Sequence, residues 1–134
     1  MENRLTFEHF LWIAEAVLRI SYDELERLAC PFRAGSALNA PFARVCGAYL
    51  FPDPAERAAI CAQRLLRTRP LPLGSRSNRK VAYECMREMV VLGGCRWSRS
   101  EEDADDVAET LEGVERGTID LAELIRWVQE RVTA

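Results

Sequence analysis

The sequence predicts an all-α protein: a compact single domain over residues 1–134, with about six to seven helices around a central helix at about 79–92. Three observations carry this expectation. Apolar residues recur with the 3.6-residue helical period and nowhere sustain the alternation of a half-buried strand. Helix-starting residues stand just before these stripes, with Gly or Pro near their ends. The chain has 134 residues, 49% hydrophobic and 29% charged. At that size about two-thirds of the unfolded surface can be buried, so a core forms without disulfides or metal.

Each element has its own signal. Thr6 is a good N-cap before a stripe of Phe7, Phe10, Leu11, Ala14, Val17 and Leu18. Ser21 with Glu24 reads as a capping box for a shorter helix carrying Leu25 and Leu28. Pro31, Gly35 and Pro41 confine residues 30–52 to short helical turns and loops. Asp53, Pro54 and Glu56 supply an N-cap, a proline at N1 and an acid at N3, with Ala58, Ala59, Ala62, Leu65 and Leu66 facing inward. Residues 68–77 hold Pro70, Pro72 and Gly74 and read as a shaped loop. Asn78 is expected to cap the central helix, whose apolar face is Val81, Ala82, Cys85, Met86, Met89 and Val90, and Gly93 with Gly94 ends it. Residues 95–97 read as a short extended piece. Ser100 and the acidic run 101–106 open a helix carrying Ala104, Val107, Ala108 and Leu111, and Asp120 with Glu123 starts the last one, with Leu121, Leu124, Ile125 and Val128.

Composition excludes several classes. No apolar run approaches the ~20 residues that span a bilayer, and the start of the chain lacks a cationic segment leading into an apolar one, which places the protein in the cytoplasm, away from membranes. The five cysteines (Cys30, Cys46, Cys61, Cys85, Cys95) contain no C-x-x-C and fit neither a disulfide framework nor a zinc site, so they read as small buried hydrophobes. His9 is the single histidine, which excludes any two-histidine metal site within one chain, and it reads as a surface or half-buried side chain. Trp12, Trp97 and Trp127 read as core by default; the alternative is a hydrophobic partner surface, for which Trp127, on the amphipathic last helix, is the first candidate for exposure.

The charge distribution is more informative. Between Glu56 and Glu84 there is no acidic residue, and seven basic ones fall there: Arg57, Arg64, Arg67, Arg69, Arg76, Arg79 and Lys80. From residue 101 onward there are 11 acidic and three basic residues. A basic segment on a chain of formal net charge -3 is either an anion site or the docking point for the acidic pole of its own fold. Arg79 and Lys80 would lie in the first turn of a helix, where a cation is unfavourable unless an anion binds. Gly74, Arg76, Asn78, Arg79 and Lys80, with the free amides of that turn, make a candidate phosphate cradle. Solvated arginines on a surface loop are the alternative. Lys80, the only lysine, suits either an anion ligand or a plain salt bridge.

The run from Arg69-Pro70-Leu71-Pro72-Leu73-Gly74 to Ser75-Arg76-Ser77-Asn78-Arg79-Lys80-Val81-Ala82 resembles the signature H-P-x-x-D-G-N-K-R-x-A of the Doc-like branch of the Fic/Doc (death-on-curing) family. Ser36-Ala37-Leu38, Ala40-Pro41-Phe42 and Tyr49-Leu50-Phe51-Pro52-Asp53 followed by Ala55-Glu56-Arg57-Ala58-Ala59 resemble segments that precede that signature, and Arg87 to Gly94 and Thr118 to Val132 fall where the family places its later helices, so the resemblance spans nearly the whole chain. It implies a bacterial toxin–antitoxin relative in which the loop histidine is the base, the acidic residue holds magnesium on nucleotide phosphates, and the helix start binds those phosphates. Here the histidine position is Arg69, or Pro72 in an ungapped alignment, and neither can accept the proton. The acidic position is Leu73, which offers no oxygen to a cation. Gly74, Asn78 and the basic pair Arg79-Lys80 persist, with Ser75-Arg76-Ser77 as three additional residues.

The resemblance therefore implies a catalytically degenerate Fic/Doc-fold protein, a pseudoenzyme with no catalytic residue and no metal at Arg69 and Leu73. It would act by binding a protein partner or a small phosphorylated ligand at the loop 69–80. The motif assigns no definite cofactor and suggests a nucleotide or phosphate-like anion as ligand. The alternative is a death-on-curing-type toxin or repurposed enzyme that transfers a nucleotidyl or phosphoryl group to a hydroxyl by another route, which requires a carboxylate or other base facing Arg69 across the loop. Nucleic acid is disfavoured because the basic segment has little aromatic interleaving and the chain is acidic overall. Self-association is left open.

Overall fold

The computed structural model describes residues 4–98 and 104–134. Among these, seven α-helices and two two-stranded ladders form one core. Helix α1 (Phe7–Leu18) starts as expected at Thr6, whose hydroxyl accepts the His9 N–H at 3.1 Å. His9 Nδ1 accepts the Thr6 N–H in return, so histidine takes the place of the usual Glu or Gln in a capping box. The Ser21 hydroxyl caps α2 (Tyr22–Leu28) by accepting the Glu24 N–H.

The segment after α2 is more regular than the sequence suggests. Pro31 to Asn39 forms a nine-residue helix, α3. Proline is tolerated there because it occupies the first turn, where its missing N–H has no helical partner. Gly35 does not interrupt it either, since the about 1 kcal/mol a glycine costs is outweighed by burial of Ala34, Ala37 and Leu38. A 3-10 turn (Ala40–Phe42) leads into a hairpin of β1 (Arg44–Val45) and β2 (Ala48–Tyr49). Its turn uses Cys46 at φ 52° and Gly47 at φ 82°, the left-handed pair that suits a two-residue hairpin. Cys46 is consequently exposed and Cys30 and Cys95 are half-buried, so only Cys61 and Cys85 are the buried hydrophobes that all five were expected to be.

Helices α4 (Pro54–Thr68) and α5 (Ser75–Leu92) pack together more extensively than any other pair, and around them lie α1, α3, α6 (Ala104–Arg116) and α7 (Leu121–Gln129). The expected inner face of α5, from Val81 through Val90, is buried throughout, but α4 shares the centre and touches more of the surrounding elements. The central helix also begins earlier than expected. Gly74, at φ 92°, turns the chain so that Ser75, Arg76 and Ser77 are already helical, and Asn78 is not a cap. It lies one turn ahead of Val81 and Ala82 and two ahead of Cys85 on the same buried stripe.

Ser100 and residues 101–103 lie outside the described residues. Asp105 and Asp106 stand in the first turn of α6, and the Asp120 side chain caps α7 by accepting the Glu123 N–H at 2.8 Å. The extended piece is present as β3 (Arg96–Trp97), which pairs antiparallel with β4 (Val132–Thr133). Trp97 of that pair packs against Trp127 and corrects the tryptophan assignment. Trp127 is half-buried between Trp97, 6.1 Å away, and the buried Arg131, whose guanidinium lies 3.7 Å from its ring centre, while the exposed tryptophan is Trp12 at 51%. Among the described residues no helix is long and apolar enough to cross a membrane.

Burial pushes the Cys61 thiol up to about 12 and that of Cys85 well above its ordinary value. A thiol whose folded value is raised leaves stability intact below its ordinary value of about 9 and removes it as pH rises from there toward 12. In that window Cys61 should cost about 1.4 kcal/mol of stability per pH unit. Cys61→Ser should flatten the alkaline limb of a urea-unfolding series, and an unchanged limb would refute the assignment. With a thiol-reactive dye in the native protein, Cys46 should react first and Cys61 and Cys85 only on unfolding.

Candidate functional site

The loop between α4 and α5 is shaped by four backbone and side-chain features. Arg69 ends α4 in the left-handed conformation at φ 47°, a position that costs a non-glycine residue about 1 kcal/mol. Pro70 accepts the Cys30 N–H at 2.8 Å, tying the loop to the junction of α2 and α3. The buried Asn78 amide accepts the Leu71 N–H at 3.2 Å and donates to the carbonyls of Leu71 at 2.8 Å and Gly74 at 2.9 Å. Leu73 turns inward and packs against the core. Two of the expected cradle residues thus have structural work: Asn78 clamps the loop from below and Gly74 provides the turn.

The rest of the cradle is divided. Arg79 is half-buried and points to α6, donating to Glu115 Oε1 at 2.9 Å and pairing with Glu112 at 3.5 Å. Arg76 and Lys80 are exposed, have no ion pair among the described residues, and line a groove of about 560 Å³ between α5 and α6 together with Tyr83 and Arg87. Gly74 and Asn78 instead line a cleft on another side. The structure does not gather Gly74, Arg76, Asn78, Arg79 and Lys80 into one pocket.

The basic segment is also partly consumed by the fold. Arg57 lies 4.7 Å from the ring centres of both Phe42 and Tyr49 and donates to the Phe51 carbonyl. Arg69 and Arg79 receive the acidic face of α6. Of the two readings of the charge pattern, docking of the acidic pole therefore accounts for part of the +7 segment, leaving Arg64, Arg67, Arg76 and Lys80 without an ion pair among the described residues.

What the structure does assemble beside the loop is a pair of clefts that share Arg33 and Arg69. The larger, an open cleft of about 680 Å³, is lined by Arg33, Arg67, Arg69, Arg116 and Glu115. The smaller, about 330 Å³, adds an apolar wall of Leu28, Cys30, Pro70, Leu71 and Pro72. Glu115 is the carboxylate that the enzyme alternative requires: its side chain is only 7% exposed, and its Oε2 lies 3.8 Å from Arg69 Nη2 with no hydrogen bond. Among the described residues no three His, Cys, Asp or Glu side chains are placed to hold a metal ion, and His9 lines neither cleft.

Arg33 had a readable signal that went unused, since a cation two residues after Pro31 stands in the first turn of any helix that begins there. Glu115 had none; it faces the loop only because α6 packs back across α4 and α5. Fold and site together define an all-helical protein with a strained loop beside an arginine-lined, half-apolar cleft. The chain matches no protein-family model, and comparison with curated proteins and with solved structures gives no match.

Proposed function

We propose that the chain is a catalytically degenerate protein of Fic/Doc-like plan that acts by binding, taking a phosphorylated ligand or an acidic protein partner beside the loop 69–80. The observation that carries this reading is the convergence of Arg33, Arg67, Arg69 and Arg116 on one cleft against a single carboxylate, Glu115. Two guanidiniums with fixed forks recognise a phosphate or carboxylate in a bidentate manner. At the positions where the family places its base and its metal ligand stand Arg69, whose side chain faces Glu115, and Leu73, whose side chain packs on the core.

Sulfate or pyrophosphate should raise the melting temperature, and Arg33→Ser or Arg69→Gly should remove that rise. Unchanged stabilisation in both variants would overturn the anion reading at this cleft. Arg79→Ala should lower the melting temperature in the absence of anion, since it strips Glu115 of its hydrogen bond.

The enzyme reading is favoured by one observation, the hydrogen-bond-free Glu115 Oε2 facing Arg69. Incubation with labelled ATP, magnesium and cell lysate should label nothing above background. Labelling that Glu115→Gln abolishes would establish a transferase in place of the binding protein.

A further inference from the structure

Two of the four arginines are accounted for by ordinary helix electrostatics. Arg67 and Arg116 stand in the last turns of α4 and α6, where a cation complements the negative end of the dipole. Arg33 opposes that rule, and Arg69, whose charge suits the C-cap of α4, breaks a rule of backbone conformation instead. Arg33 sits in the first turn of α3, the positive end, with no ion pair among the described residues. Arg69 carries a bulky side chain at a left-handed position where glycine would be unstrained. Local choices that break the rules of the fold mark functional positions, and these two are the residues shared by both clefts.

The lining of the larger cleft has four cations and one anion. Two helix C-termini reach it, each equivalent to about half a negative charge. The cleft therefore remains positive. Its opening is broad, and its neighbour is walled by Leu28, Cys30, Pro70, Leu71 and Pro72, a surface that would meet an apolar side chain. Phe32, next to Arg33, is 84% exposed and Leu28 is 36% exposed. Arginine beside exposed aromatic and aliphatic side chains is the composition of a protein-binding hot spot, whereas small-molecule sites enclose most of their ligand.

From this we infer that the paired clefts dock an acidic peptide segment of a partner protein, its carboxylates on Arg33, Arg67 and Arg69 and one large apolar side chain between Leu28 and Pro72. The inference rests on the binding reading above and names the partner class for the same site. Arg69 is the centre of recognition, because it lines both clefts and its side chain stays 58% exposed beside Glu115.

The test is a bead-displayed random octapeptide library incubated with the fluorescently labelled full chain. Recovered peptides should carry at least two Asp or Glu residues near a Leu, Phe, Ile or Met. By fluorescence polarisation, a recovered peptide should weaken by about tenfold with Arg33→Ser and with Arg69→Gly. Arg69→Gly suits the left-handed backbone and keeps the fold. Arg64→Ser, on α4 outside both clefts, should leave affinity unchanged, and added salt should lower it. Recovery without acidic enrichment, or affinity untouched by Arg33→Ser, would overturn the docking site. So would concentration-dependent dimerisation abolished by Arg33→Ser, which would assign the face to a second copy of the chain. Stabilisation by pyrophosphate without peptide binding would overturn peptide docking alone, and the absence of both would overturn the binding reading as well.

Discussion

Met86→Asp is expected to abolish cooperative folding. Met86 is fully buried in the middle of α5, in the helix pair that forms the centre of the core. The substitution removes a large apolar side chain, which by itself costs about 2–5 kcal/mol in a packed interior. It also places a carboxylate where no water can solvate it, adding several kcal/mol or forcing the group to take up a proton. The sum is comparable to the about 5–15 kcal/mol that holds a domain of this size together. Met86→Leu, which conserves volume, should cost less than about 1.5 kcal/mol. Urea unfolding followed by circular dichroism separates the two variants. A soluble Met86→Asp protein with a wild-type transition would mean that α5 is peripheral and that the fold described here is wrong.

Asn78→Asp should be the next most damaging change, although it alters no atom position. The wild-type amide both accepts from and donates to Leu71 and donates to Gly74. The carboxylate keeps the accepted bond but directs its second oxygen at two carbonyls. A buried unpaired charge and two orphaned acceptors together cost about 3–5 kcal/mol. Asn78→Ala loses all three bonds, without the buried charge, and should cost about 2–3 kcal/mol. The pH dependence distinguishes them. The introduced carboxyl is neutralised more readily in the folded protein than in the unfolded chain, so its penalty should shrink as pH falls, while that of Asn78→Ala should not change with pH. Equal penalties at all pH values would mean that Asn78 merely fills space. Because the loop carries Arg69 and Gly74, both variants should also lose the melting-temperature rise with pyrophosphate, even under conditions where they remain folded.

These two residues show what could be read locally and what could not. The inward face of α5 was legible because six apolar side chains of that helix, Val81 through Val90, fall on one stripe with the helical period, and periodicity is a property of the chain alone. The starts of α1, α2 and α7 were legible for the same reason, since a cap bonds to a backbone N–H only two or three residues away. Asn78 was misread as a cap because its hydrogen bonds run backward to Leu71 and Gly74, across a loop whose path the dipeptide rules for Pro and Gly do not specify. The exposed Trp12 and half-buried Trp127 were exchanged because amphipathicity says which face is apolar but not that Trp97 and Arg131 pack against the ring of one of them.

By itself the sequence determined the helical class, the apolar faces, the breaks near 70 and 93, and the separation of charge along the chain, each a matter of residues within a turn or two of one another. The tertiary structure alone decided where that charge is spent. Glu112 and Glu115 are more than thirty residues from Arg79 and Arg69, and only the packing of α6 against α4 and α5 brings them to the loop. The same packing splits the expected cradle and gathers Arg33, Arg67, Arg69 and Arg116 from three helices and a helix end into one cleft. Coulomb interactions depend on distance in space, and a one-dimensional charge pattern does not contain it.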